Sequence, residues 1–257
     1  MARRSAEALV LATRNWGEAD KMASLLTREC GRVEAAAFGC RRPKSALAAG
    51  MQMFSHLDVE LTEGGRVWTV RQCSLKGRFR RLSEDLSAMA YGSFVAELAL
   101  ELFPEHEPAP DAFDRLLQIF CAFEERNPRL VALAAAYQLL ALAGLSLHLA
   151  SCVHCGAPFE EPMSVDIGEG GALCADCRKE DMPLFSVDLK EFIEKLTALD
   201  WQAFLSPQEA AGVRSPVPFS VRKQELLAAE SLLLAYLRAL FGKPLRSLAF
   251  IAQIGGA

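Results

Sequence analysis

The chain has 257 residues, of which 51% are hydrophobic and 23% charged, and its formal net charge is −4. This composition excludes a disordered chain and leaves room for one large domain or two modest ones. Residues 1–80 hold 14 Lys and Arg against 8 Asp and Glu, a charge of +6, whereas residues 81–257 hold 14 against 24, a charge of −10. A contact with a polyanion is therefore expected in the first part of the chain only.

Residues 6–80 have the pattern of β-strands. Leu57, Val59 and Leu61 alternate with polar residues, as the two faces of a half-buried strand do, and the Glu-Gly-Gly of residues 63–65 signals a hairpin. With similar runs before and after, the pattern gives about five strands. An OB-fold β-barrel over residues 1–80 is predicted, with an SH3-like barrel or an open meander as alternatives.

A short basic loop stands out within this segment. Residues 39–45 read Gly-Cys-Arg-Arg-Pro-Lys-Ser, which places Arg41, Arg42 and Lys44 within four positions. Phosphate oxygens favour such a compact group of cations, to which Arg32 adds charge, although a merely solvated loop is the alternative. Four aromatic side chains could stack on unpaired bases, but for each alone the barrel core is the better prediction: Trp16, Phe38, Phe54 and Trp68.

From Leu82 onward the hydrophobic periodicity is helical. Ser83 is predicted to cap a helix that ends at Pro104, and Asp111 to cap a second helix that ends near Pro128. The boundary between two domains is therefore placed near residue 80. The remaining chain, to residue 257, is predicted to form a helical bundle.

Residues 130–150 contain no charged side chain, a length that would suffice for a membrane span. A helix that is apolar all round is also what the centre of a bundle requires, and the polar side chains within this one favour that interpretation. Later helices are predicted at 188–199 and 221–241, with a connector between them. Ser220 is expected to cap the last helix and Gly242 to end it.

Four cysteines form two C-x2-C pairs, Cys152 with Cys155 and Cys174 with Cys177, separated by eighteen residues. Each pair can direct two sulfurs at one point, and two pairs form the closed tetrahedral site that structural Zn²⁺ favours, at Zn–S distances of about 2.3 Å. One structural zinc ion is predicted, in a ribbon inserted at residues 150–180. Two disulfides or free thiols are the alternatives, but nothing in the sequence indicates an oxidising compartment.

No catalytic pattern accompanies these features. A phosphate-binding G-x-x-x-x-G-K-[ST] loop is absent, and the glycines of residues 168–171 lie in the ribbon rather than at a strand–helix junction. The His-x-Glu of zinc deaminases is missing, and four scattered histidines adjoin no nucleophile motif. A binding protein is therefore predicted rather than an enzyme, with no small-molecule substrate.

Several groups of residues together resemble the RecO family of bacterial DNA repair proteins. They are residues 17–21, 26–27, 31–32 and 39–45, the cysteine array, and the Gly-Lys-Pro-Leu-Arg-Ser of residues 242–247. The resemblance covers nearly the whole chain and implies an OB-fold followed by a helical domain with a non-enzymatic role in recombinational repair. It further implies binding of single- and double-stranded DNA and annealing of complementary strands. The implied partners are RecR and the C-terminal tail of single-stranded DNA-binding protein (SSB), with which such proteins help to load RecA.

The resemblance also bears on individual residues and on location. Together with the basic loop it points to nucleic-acid contacts by Lys21, Arg32, Arg41, Arg42 and Lys44. It implies that the helical domain holds an apolar groove, with a cation beside it, for the SSB tail. No apolar stretch follows the arginines near the start, so a secretory signal is not expected. For a DNA repair protein, a cytoplasmic location at the nucleoid is expected. The alternative function is a zinc-ribbon adaptor with weak or no binding to DNA.

Overall fold

The computed structural model of the chain describes residues 2–205 and 221–255, which fall into two compact units. The first unit comprises Met1–Ala132 with Arg246–Ala257, and the second comprises Leu133–Leu245. Both sides of the boundary expected near residue 80 belong to the first unit. The division into domains 1–80 and 81–257 therefore stays a prediction.

Five strands close into a barrel in the order β1-β2-β3-β5-β4. Neighbours are antiparallel except β3 and β5, which run parallel at Ala35↔Trp68 and Ala36↔Thr69. This closed five-stranded arrangement confirms the predicted OB-type barrel and excludes the open meander. The strands are β1 Arg3–Trp16, β2 Asp20–Thr27, β3 Gly31–Ala37, β4 Ser55–Thr62 and β5 Trp68–Arg78.

The barrel core follows from the alternation seen in the sequence. Leu57, Val59 and Leu61 are all buried, while the polar residues between them face outward. The loop between β3 and β4 also contributes to this core through Cys40 and Met51. The loop that carries the basic residues is thus anchored from within by apolar side chains.

Three helices of the first unit follow the barrel: α1 Arg80–Glu84, α2 Leu86–Leu102 and α3 Pro110–Glu125. The predicted cap at Ser83 is wrong, because Ser83 lies inside α1 and its hydroxyl donates to the Phe79 carbonyl. Asp85 caps α2 instead, accepting a hydrogen bond from Ala88 N at 2.8 Å. The predicted cap at Asp111 is also wrong, since this residue lies within the first turn of α3.

Helix α4, Pro128–Leu142, begins in the first unit and continues into the second. It ends eight residues earlier than the apolar run of the sequence, where Gly144 adopts a positive φ of 72° and turns the chain. In the described part of the chain, no helix combines the length and the apolar character that crossing a membrane requires. The interpretation of a buried helix is supported by its eleven consecutive buried residues from 130 to 140.

Within its described residues, the second unit contains a three-stranded sheet and three further helices. The sheet has the order β7-β6-β8, with β6 Met163–Asp166, β7 Gly171–Leu173 and β8 Leu184–Phe185. The helices are α5 Val187–Thr197, α6 Trp201–Leu205 and α7 Lys223–Phe241. Gly242 ends α7 with a positive φ of 65°, as predicted. Ser220 and most of the predicted connector lie outside the described residues.

A buried glutamine links the helices of the second unit. Gln138 on α4 accepts a hydrogen bond from the Trp201 indole at 2.6 Å and donates to the carbonyls of Leu196 and Leu199. Its amide is therefore satisfied on both sides, which makes a polar group acceptable in this apolar surrounding. Gln138, which interrupts the apolar run of the sequence, thus joins α4 to the segments that carry Leu196, Leu199 and Trp201.

A last helix, α8 Arg246–Gly255, was not predicted and packs on α2 within the first unit. The Glu97 carboxylate of α2 accepts hydrogen bonds from the backbone of Arg246 at 2.9 Å and of Ser247 at 2.8 Å, and from the Ser247 hydroxyl at 2.6 Å. A carboxylate at the first backbone N–H groups of a helix satisfies donors that have no partner inside the helix. Glu97 thus supplies the cap of α8.

Candidate nucleic-acid interface and metal centre

The basic loop begins with a tight turn just after β3. Gly39 has a positive φ of 66°, and its backbone N–H donates to the Asp20 carboxylate at 2.7 Å. The Arg42 N–H then returns to the Gly39 carbonyl at 3.0 Å and closes the turn. The next cation, Lys44, also has a left-handed backbone, with φ 64°. These hydrogen bonds and backbone angles therefore give the basic loop one ordered backbone conformation.

Arg41 fixes the loop to the turn between β1 and β2. Its backbone N–H donates to the Ala19 carbonyl at 2.8 Å, and its guanidinium donates to the Glu18 carbonyl at 3.1 Å. These acceptors are neutral and the side chain is exposed, so its charge is not cancelled by an acid here. Arg41 both orders the loop and keeps a positive charge at its surface.

Cys40 and Lys21 hold the loop from the inside. The Cys40 thiol is buried in the barrel core, and this burial raises its pKa. The Lys21 ammonium donates to the Met51 carbonyl at 2.8 Å, on the returning side of the loop. Lys21 thus braces the loop, and its predicted role as a DNA contact stays a prediction.

Arg42 and Lys44 are exposed and, in the part of the chain that the structure describes, pair with no carboxylate. Some other cations of the barrel are paired with acids. Lys76, for example, pairs with Glu7, and its hydrogen bond, together with one from His56, lowers the pKa of the Glu7 carboxyl. The loop therefore holds a cluster of positive charges that, within the described residues, no carboxylate balances.

Arg32 is engaged internally. Its guanidinium donates to the Leu100 carbonyl in the last turn of α2 at 2.7 Å and to the Glu105 carboxylate at 3.1 Å. A cation at the last carbonyls of a helix is favourable there. The preceding Gly31 has φ +68°, and a Cβ at that position would lie 2.0 Å from the Glu107 carbonyl oxygen. The predicted DNA contact at Arg32 stays a prediction, and the contacts seen are structural.

The four candidate aromatics divide into two pairs. Phe54 and Trp68 are buried, with 3% and 8% of their surface exposed, as the prediction of core positions requires. Trp16 and Phe38 are 45% and 53% exposed, and their ring centroids lie 5.8 Å apart. The expectation of a core position is therefore wrong for these two.

The four cysteines of the array come together. Each contributes an Sγ atom to a cluster whose members lie within 4.8 Å of one another, and the Cys155 and Cys174 sulfurs are 3.6 Å apart. Tetrahedral Zn²⁺ with bonds of about 2.3 Å would separate its sulfurs by about 3.8 Å. All four thiols are free, so the alternative of two disulfides does not hold in this structure. The arrangement fits a metal ion.

Each cysteine pair sits on a turn that aims both sulfurs inward. Gly156 N–H donates to the Cys152 carbonyl at 2.9 Å, and Cys177 N–H donates to the Cys174 carbonyl at 3.1 Å. Gly156 has φ 73°, a conformation that favours glycine after the first pair. Because the ligands lie close in sequence and on local turns, their spacing alone was enough to predict the cluster.

The electrostatics of the cluster favour a cation. Backbone N–H groups of Cys174, Cys155 and His154 point at the Cys152 sulfur and lower the pKa of that thiol to about 6. Hydrogen bonds to the Cys174 and Cys155 side chains raise the pKa of Cys177 to about 12. The negative charge of the first thiolate thus opposes ionisation of the other thiols, and a bound cation would offset the repulsion between the thiolates.

Comparison with known proteins gives consistent matches along the chain. The family model described as Recombination protein O N terminal matches residues 1–79, and Recombination protein O C terminal matches residues 83–249. DNA repair protein RecO of Myxococcus xanthus is 34% identical over 260 aligned positions, covering 99% of each chain. The protein of that name from Symbiobacterium thermophilum is 37% identical over 185 residues, which cover 70% of this chain and 73% of the relative.

Proposed function

The chain belongs to the recombination protein O family, and from this premise we propose that it is a non-enzymatic, DNA-binding mediator of recombinational repair. In this role it binds single- and double-stranded DNA, anneals complementary strands and acts at the nucleoid. The family gives the role in DNA repair. Binding through the barrel is the part of the proposal that the contacts of individual residues support.

The observation that carries the proposal is the state of the loop cations. Arg41, Arg42 and Lys44 are exposed on one ordered loop, whereas the barrel cations Arg32 and Lys76 are held by internal acids. Contacts between cations and phosphates release condensed counterions and do not depend on the base sequence. A barrel that presents several such cations together is suited to the DNA backbone.

We expect a fluorescently labelled single strand to bind with an affinity that falls steeply with salt. Each neutralised phosphate of a single strand adds about 0.7 to the magnitude of the log K versus log salt slope. Three loop contacts therefore give a negative slope whose magnitude is about 2 or larger. Fluorescence anisotropy over a salt series measures this slope, with a duplex of the same length in parallel. Absence of binding to both DNAs at low salt would instead favour the adaptor function.

We propose that the ion of the four-cysteine cluster is zinc and that its role is structural. Thiolates are soft ligands that suit Zn²⁺, and four protein ligands leave no position for a water or substrate. The ion would join the turns at Cys152 and Cys174 and so hold the sheet of β6, β7 and β8 together. His154 lies outside the cluster, beside Glu169 at 3.7 Å.

We further propose RecR and the SSB tail as partners in the loading of RecA. A cavity of about 370 Å³ in the second unit supports a tail site, because Leu140, Leu147 and Ile193 line it and could receive an apolar side chain. Its described lining includes His148 but no Lys or Arg, so the cation expected beside the groove is missing there. The lining also includes Glu194, so an acidic tail would bind weakly there.

Saturable binding of a fluorescent SSB-tail peptide at low salt is the expected result for this site. A peptide that lacks the terminal aromatic residue is the matched control and should not saturate. Equal behaviour of the two peptides would contradict an apolar pocket as the binding site.

A further inference from the structure

Two large aromatic rings are exposed at one end of the barrel. Trp16 is the last residue of β1, and Phe38 follows the last residue of β3. Strand pairing brings them together, because Trp16 lies opposite Asp20 while the next residue, Lys21, lies opposite Ala37. Large apolar side chains are normally removed from water, so two neighbouring exposed rings require an explanation.

These rings adjoin the basic loop. Phe38 immediately precedes the turn that Gly39 opens, and the Arg41 guanidinium binds the Glu18 carbonyl two residues after Trp16. The same loop carries the exposed Arg42 and Lys44. Aromatic surface and uncancelled positive charge thus share one end of the barrel.

The ring geometry leaves surface available for a third ring. The Trp16 and Phe38 planes meet at 48° with centroids 5.8 Å apart, so the two rings do not stack in parallel on each other. Phe54 and Trp68, in contrast, complete their contacts inside the first unit, Trp68 stacking on His106 at 5.2 Å and 15°. Of these four aromatic residues, only Trp16 and Phe38 therefore present ring faces to a ligand.

We infer that Trp16 and Phe38 form a platform on which unpaired bases of single-stranded DNA stack, while the adjoining loop holds the phosphates. The inference rests on the proposed function and adds the class of DNA preferred. Bases in a duplex are already stacked on their neighbours and offer no free face, whereas those of a single strand can stack on an aromatic ring whatever their sequence. The platform therefore selects single strands over duplex, and the cations supply affinity for both.

Tryptophan fluorescence tests the platform directly. The chain has three tryptophans, and Trp68 and Trp201 are buried, so Trp16 is the exposed emitter. A single strand should quench the emission of the wild-type protein, and an abasic strand of equal length, which keeps the phosphates but lacks the bases, should not. Trp16→Phe should lose the quenching and keep the binding, because phenylalanine preserves a stacking ring.

Fluorescence anisotropy then measures how much each ring contributes to the affinity for single-stranded DNA. Trp16→Ala and Phe38→Ala should each weaken binding to a normal single strand by about 5- to 100-fold, without changing the salt slope or the affinity for an abasic strand. Leu75→Ala, which removes another exposed apolar side chain of the barrel, is the control and should have no effect.

The outcomes separate the platform from the proposed function. If the wild-type protein binds normal and abasic strands equally, or both alanine variants bind normally, the platform is wrong while phosphate binding stands. If it binds neither strand, the proposed function itself is wrong and the platform with it. The comparison of strands uses the unmodified protein, so it does not depend on the folding of any variant.

Discussion

Cys155→Ser is expected to abolish metal binding and to unfold the ribbon of β6, β7 and β8. The strands contain four, three and two residues, too few to be stable without another source of free energy. Structural Zn²⁺ supplies about 10–16 kcal/mol of apparent binding free energy in small zinc domains. The exposed position of Cys155 means that the substitution leaves no cavity, so the loss is due to the missing ligand.

Elemental analysis and limited proteolysis measure this effect. The wild-type protein should contain one zinc ion per chain and resist cleavage between residues 158 and 185, and the variant should contain none and be cut there. Cys121→Ser, which changes an exposed cysteine outside the cluster, is the matched control and should behave as wild type. Wild-type protein without zinc, and with all four thiols freely titratable, would contradict the assignment.

Replacing Arg41, Arg42 and Lys44 together by alanine should lower the magnitude of the salt slope for single-stranded DNA by about 2. At 0.1 M salt this corresponds to about 100-fold weaker binding. All base sequences should be affected alike, because phosphates carry no base information. The fold should remain intact, since Cys40 and Met51 anchor the loop and stay unchanged.

A control variant separates this local effect from the change in net charge. Lys179, Lys195 and Lys223 are exposed in the second unit, and replacing all three by alanine removes the same charge. That variant should keep the wild-type slope at moderate salt, where distant exposed charges are screened. Unchanged affinity and slope in the loop variant would show that the loop is only solvated and that any DNA surface lies elsewhere.

Features that depend on near neighbours in sequence were predictable. The alternation of Leu57, Val59 and Leu61 was enough to predict a barrel strand, and the cysteine spacing was enough to predict the cluster. Features that depend on distant partners were not. Helix α8 was missed because its cap, Glu97, lies 149 residues before Arg246. No local pattern around residue 246 contains that information.

The same distinction applies to the candidate site. In the sequence, Arg32 and Arg42 are equally plausible phosphate ligands, but Glu105, 73 residues further along the chain, engages only Arg32. The exposure of Trp16 and Phe38 depends likewise on strand pairing, which sets the end of the barrel that each ring reaches. Residue type alone did not separate these two from Phe54 and Trp68.

The cap that Glu97 gives to α8 also has a consequence during synthesis on the ribosome. When α2 emerges, the backbone groups that its carboxylate will bind have not yet been translated, and they follow 149 residues later. At about 5–20 residues per second, the hydrogen bonds between Glu97 and α8 can form only about 7 to 30 s later. During that interval every residue of the second unit is made, so the nascent barrel unit stays incomplete until the last segment arrives.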